Sequence, residues 1–203
     1  MSEFSMPPLA VGYDSRWVHV PLSGDIGEWA QQATADYLAK NGGHKKQVKS
    51  LLEGAGEIAR RATDAAMALI LMPVAAEGIR ALVRFCPVDM SEVDLSTVDM
   101  SAVGEDVWSA MIGDITPANQ WEESPEVTDM ATKAGPCRRV VRRVVEGEGN
   151  TLAITEHIVY AWVFPQYAAG VFMVTSFLNL AEAGRWRGAL DELAAAVELE
   201  PAS

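Results

Sequence analysis

The fold of this chain is decided by residues 137–178, CRRVVRRVVEGEGNTLAITEHIVYAWVFPQYAAGVFMVTSFL. Three runs rich in valine and aromatic residues lie within it, at roughly 137–145, 152–163 and 170–178, with Gly, Asn and Pro between them. A helical pattern follows at about 182–197, where Trp186, Leu190 and Leu193 recur at helical spacing. This order predicts an antiparallel sheet closed by a C-terminal helix. In the first run the pairs Arg138-Arg139 and Arg142-Arg143 alternate with Val140-Val141 and Val144-Val145. A period of four also fits an amphipathic helix, but the valines and the turn-like residues 147–150 favour a strand.

Pairing Val145 with Leu152 across that turn would set Val141 opposite Glu156. Arg139 and Arg143 would then be diagonal neighbours of Glu156 on one sheet face. The face carrying Arg80, Arg84, Arg139, Arg143 and Glu156 is therefore a candidate anion or partner face, because guanidinium forks suit carboxylates and phosphates. The plainer reading is an ion-pair cluster on a sheet.

Upstream, residues 1–15 read as an arm and 16–203 as a single domain. Residues 16–21 (RWVHVP) alternate as a short strand. Residues 23–41 read as a helix whose Asp25 and Glu28 have capping-box spacing, stopped by Asn41-Gly42-Gly43. A second helix is expected from His44 to about Thr63, although Gly54 and Gly56 weaken it. Strands are expected at 66–72 and 79–86. Residues 87–136 form an acidic, weakly patterned excursion with short helical patches at about 102–112 and 125–132. Inside it a five-residue pattern repeats from Val88, Val93 and Val98, similar to pentapeptide-repeat proteins over too few residues to bury a core. Trp121 lies in a polar part of the excursion and is a candidate interface anchor.

The chain has 203 residues, 49% of them hydrophobic and 22% charged, which is a globular composition. Its net charge of −12 opposes a phosphate backbone, so nucleic acid is not an expected partner. No apolar run is long enough to span a bilayer, and residues 1–8 lack the pattern of a signal peptide. The cysteines, Cys86 and Cys137, have no metal-ligand spacing and read as free buried thiols of a reducing compartment, so a cytoplasmic location is expected. No metal or cofactor is expected. His19 reads as structural, His44 as exposed and His157 as a core histidine, and no phosphate loop or nucleophile elbow occurs.

The order of elements resembles the Mog1/PsbP-like α/β/α sandwich, especially its small bacterial members. The residues that carry this are Arg16-Trp17-Val18-His19-Val20-Pro21, the hairpin of Ala66–Met72 and Ile79–Cys86, the closing strand Val171–Phe177, and the helix with Trp186, Leu190 and Leu193. The resemblance covers most of residues 16–197. It departs in the long helical segment at 24–63 and the large excursion. It implies a non-catalytic accessory or binding protein and supplies no catalytic residues.

The expectation is an α+β domain with a largely antiparallel sheet of about six strands covered by helices, acting as a non-enzymatic protein-binding domain. One alternative is a small-molecule binder or enzyme of the helix-grip type, with a cavity lined by Trp162, Phe172 and Trp186. The other is a homodimer or larger homo-oligomer built through a strand edge or Trp121.

Overall fold

Alternation of side chains along residues 153–177 builds the centre of the structure, a computed structural model that describes residues 7–61, 64–91, 125–146 and 153–200. The elements are β1 (Leu9–Val11), β2 (Trp17–Val20), α1 (Ile26–Asn41), α2 (Lys45–Arg60), β3 (Met67–Leu71), β4 (Ala81–Asp89), β5 (Glu126–Thr132), β6 (Gly135–Glu146), β7 (Ala153–Phe164), β8 (Ala169–Phe177), α3 (Leu180–Ala195) and β9 (Val197–Leu199). Seven strands form one sheet in the order β2-β3-β4-β8-β7-β6-β5, and every neighbouring pair is antiparallel. The fold is therefore α+β, a large antiparallel sheet covered by helices.

Helices cover both faces. Beneath α3 lie Leu69, Val83, Phe85, Tyr160, Trp162 and Met173, all buried with Leu190 and Leu193 of the helix. On the opposite face α1 and α2 cover Val20, Ala68 and Ile70 with Ala30, Tyr37, Val48 and Leu52. The start of α1 is capped as its sequence predicts, with the Asp25 carboxylate accepting from the Glu28 N–H at 2.9 Å. Its end is Asn41, where Gly42 turns at φ 71° and returns its N–H to the Leu38 carbonyl at 3.0 Å. Gly56 of α2 has a packing reason. A Cβ there would collide with Ile26 and touch Trp29 of α1, so the glycine allows the two helices to close.

Three expectations are corrected. Residues 126–132 are a strand and not a helical patch. Their sequence EVTDMAT alternates, and a two-residue turn at Lys133-Ala134 folds it onto β6. This strand takes the sheet to seven. The N-terminal arm is also part of the fold, because Leu9–Val11 pairs with β9 in a separate two-stranded ribbon. Finally, the β6–β7 register is two residues from the expected one: Arg143 faces Glu156 and Val145 faces Ile154. A shift of two leaves every side chain on its original face, so hydrophobic alternation cannot distinguish the two registers. Most of the excursion, including Trp121 and the repeats from Val93 onward, lies outside the described residues.

Candidate functional site

The arginine stripe is divided by the pleat. Arg139, Arg143 and Glu156 share the α3 face, as their alternation predicts. Arg84 faces the other way, because it is opposite Val174, which is opposite Val159 and then Val140. Arg80 precedes β4 and turns toward α3, where it meets Glu77 at 3.0 Å and Glu182 at 3.6 Å. The five residues are therefore not one face, which corrects that expectation.

Under α3 the charges form a connected network. Arg139 reaches both carboxylate oxygens of Asp191, at 3.0 and 2.8 Å, and Glu126 at 3.2 Å. The Tyr160 hydroxyl donates to the same Asp191 at 2.6 Å. Glu156, only 1% exposed, accepts from Arg143 Nε at 3.0 Å and from Arg187 Nη2 at 2.8 Å. Arg187 also meets Glu126 at 3.4 Å, which joins the two halves. Three guanidiniums, those of Arg139, Arg143 and Arg187, thus face three carboxylates, those of Asp191, Glu126 and Glu156. An incoming anion would have to displace a carboxylate already held in bidentate or doubly bonded geometry. Arg187 and Asp191 were missed in the sequence reading. The available signal is that both interrupt the small apolar stripe of Ala183, Leu190 and Ala194 on one side of α3.

Burial sets the titration of the neighbouring groups. It pushes the Tyr160 hydroxyl well above its ordinary value, and the Asp191 hydrogen bond adds to the effect. Burial likewise raises Cys137, and it pushes Cys86 up to about 12 with a further contribution from the Asp64 charge. At neutral pH both thiols stay protonated and are poor nucleophiles. Cys137 lies on the α3 face, whereas His157, opposite Arg142, lies on the other, so the two cannot form a dyad. His157 is half-buried, not a core residue, and its Nδ1 lies 2.8 Å from Ser176 Oγ. Among the described residues no three His, Cys, Asp or Glu side chains are placed to hold a metal ion. Trp162 and Phe172 also sit on opposite faces, so they do not line one cavity with Trp186.

An open concavity lies elsewhere, between the sheet edge β2 and helix α1. It measures ≈ 370 Å³, and its walls include Tyr13, Asp14, Trp17, His19, Trp29, Gln32, Asp36 and Lys40. Tyr37 closes its floor through a hydrogen bond from its hydroxyl to the Met72 carbonyl at 3.0 Å. The indole of Trp29 donates to the His19 carbonyl at 3.1 Å. Burial lowers the pKa of His19, which favours the neutral ring. Asp14 is held by Arg16, with Nη2 at 2.7 Å from its carboxylate.

The chain matches no protein-family model and no curated protein. Among the described residues no helix is long and apolar enough to cross a membrane.

Proposed function

We propose that this chain is a non-enzymatic binding domain whose partner is another protein, and that the partner docks in the groove between β2 and α1. One observation carries this reading: an edge strand of the sheet stands beside an open groove walled by aromatic and charged side chains. The network under α3 supports it indirectly, since its arginines and carboxylates neutralise one another and act as internal structure. The sheet with helices on both faces supports membership of the Mog1/PsbP-like sandwich proteins. Two buried free thiols on opposite faces of the sheet support a reducing compartment such as the cytoplasm.

The test is affinity capture from the native cell with three forms of the protein. Gln32→Trp covers the groove, and Gln31→Trp adds the same bulk at an exposed neighbouring position. A partner kept by the wild type and by Gln31→Trp but lost by Gln32→Trp supports the groove. A partner held equally by all three refutes it. Turnover of an ester, phosphate or peptide that is abolished by Asp191→Asn would refute the non-enzymatic reading.

The other sheet edge favours a second reading, self-association. Val127 is 47% exposed on β5, and Asp129 and Ala131 are exposed beside it. Light scattering on the wild type and Val127→Lys separates it: a dimer that dissociates in the variant would support pairing through β5.

A further inference from the structure

We propose that the partner enters the β2–α1 groove as a short extended segment carrying one lysine or arginine, which adds to the edge of β2 and displaces the Trp29 indole. The inference rests on the groove reading above and specifies what the groove recognises.

Backbone geometry shows why the edge is receptive. The Met72 N–H donates to the Arg16 carbonyl at 2.8 Å, and the register continues Trp17 with Leu71 and Val18 with Ile70. In an antiparallel ladder the groups alternate, so Arg16, Val18 and Val20 point their amides and carbonyls at β3. Trp17 and His19 therefore point theirs outward. The Trp17 N–H is held by the Asp14 carbonyl at 3.1 Å, and the His19 carbonyl is held by the Trp29 indole. Among the described residues nothing bonds the Trp17 carbonyl or the His19 N–H, which are the groups offered to an incoming strand. When one arrives, its N–H takes the His19 carbonyl in place of the indole, which completes a hydrogen-bonded pair at His19.

The length of the segment follows from α1. Trp29, Gln32, Asp36 and Lys40 all wall the groove. From Trp29 to Lys40 the helix axis rises about 16 Å at about 1.5 Å per residue. An extended chain covers that distance in about five residues at about 3.3 Å each.

The charge of the segment follows from Asp36. Its exposed carboxylate is bonded by the neutral Gln32 amide at 3.1 Å, and among the described residues no Lys or Arg forms a salt bridge with it. Asp14, by contrast, is already matched by Arg16. The Tyr13 and Trp29 rings wall the same groove and favour a cation lying over an aromatic face. Lys40, in the last turn of α1, disfavours a second cation at that end, which selects a single basic residue and not a basic run. The chain's net charge of −12 steers a basic segment inward and disfavours a second copy of the chain as the occupant.

The experiment uses the full chain labelled with ¹⁵N and acetylated, amidated peptides: Thr-Val-Lys-Val-Thr, the same peptide with Glu or Thr in place of Lys, and the Lys peptide with N-methylated central amides. The readouts are the His19 backbone amide and the Trp29 indole N–H resonances. The Lys peptide is expected to shift both. The Glu and N-methylated forms, and the Asp36→Asn variant with the Lys peptide, are expected to bind at least about tenfold more weakly. Trp29→Phe, which frees the His19 carbonyl, is expected to tighten binding about fivefold, the size of one neutral hydrogen bond. The proposal is overturned if the Lys peptide moves neither resonance, or if the Glu peptide binds as tightly. Equal binding of the Lys and Thr peptides overturns the basic selection and leaves the groove standing. Loss of a native partner in Gln32→Trp, with no peptide bound, overturns strand addition and again leaves the groove standing.

Discussion

Replacing Glu156 by glutamine is the sharpest test of the network beneath α3. The carboxylate is 1% exposed and receives Arg143 and Arg187 at 3.0 and 2.8 Å. Glu156→Gln keeps the shape and removes the charge that Arg143 and Arg187 share, leaving Arg187 with only the longer contact to Glu126, and one amide N–H₂ must face a donor. Removing one partner of a fully buried pair costs about 3–5 kcal/mol. Here the arginine side chains are 40% and 23% exposed, and water screens part of that loss. We expect about 2–3 kcal/mol. With a urea dependence of about 2 kcal/mol per molar, the unfolding midpoint should fall by about 1–1.5 M with an unchanged slope. Arg187→Met placed on top should cost less than in the wild type, with a coupling of about 1–2 kcal/mol across the cycle. A midpoint shift under about 0.2 M for Glu156→Gln, or strict additivity in the double variant, would refute the reasoning.

Two glycines of α2 should respond in opposite directions. Gly54→Ala meets open space and should raise stability by about 0.5–1 kcal/mol, while Gly56→Ala strikes Ile26 and Trp29 and should lower it by about 1–3 kcal/mol; thermal melts read both, and equal effects would refute the packing account. Tyr160→Phe removes the 2.6 Å hydrogen bond to Asp191 and should cost about 1.5–2 kcal/mol in the same urea assay. Stability should also fall in alkali. The Cys86 thiol ionises at about 12 in the folded chain against 9.0 ordinarily, and Cys137 and Tyr160 are raised in the same direction. Between those values the unfolded chain has lost protons that the folded chain keeps, so stability is intact below pH 9 and falls toward pH 12. The slope is about 1.4 kcal/mol per pH unit for each group, and a flat profile from pH 8 to 11 would contradict it.

Much of the candidate chemistry was legible in part. Alternation in residues 138–145 placed Arg139 and Arg143 on the face of Glu156, and that placement survived a two-residue error in register because the strand period is two. Asp25 and Gly42 announced the ends of α1 through local hydrogen bonding alone. Arg84 was grouped wrongly, because whether two strands share a face depends on how they meet through β8 and β7, and nothing local to either strand records this. Residues 126–132 were misread for a related reason. Their strand exists through pairing with β6, and their own propensity is weak.

By itself the sequence determined the elements whose signals are local: a Val- and aromatic-rich sheet, two helices ahead of it of which the first is capped by Asp25, a closing helix, and an acidic composition. Only the tertiary structure decided that Asp191 of α3 pairs with Arg139 of β6 while Arg187 of α3 pairs with Glu156 and Glu126, that residues 9–11 pair with 197–199, and that β2 is an edge strand beside α1. These are contacts between residues far apart in the chain. Their energies depend on distance and burial in the folded state, and neither periodicity nor composition carries that information.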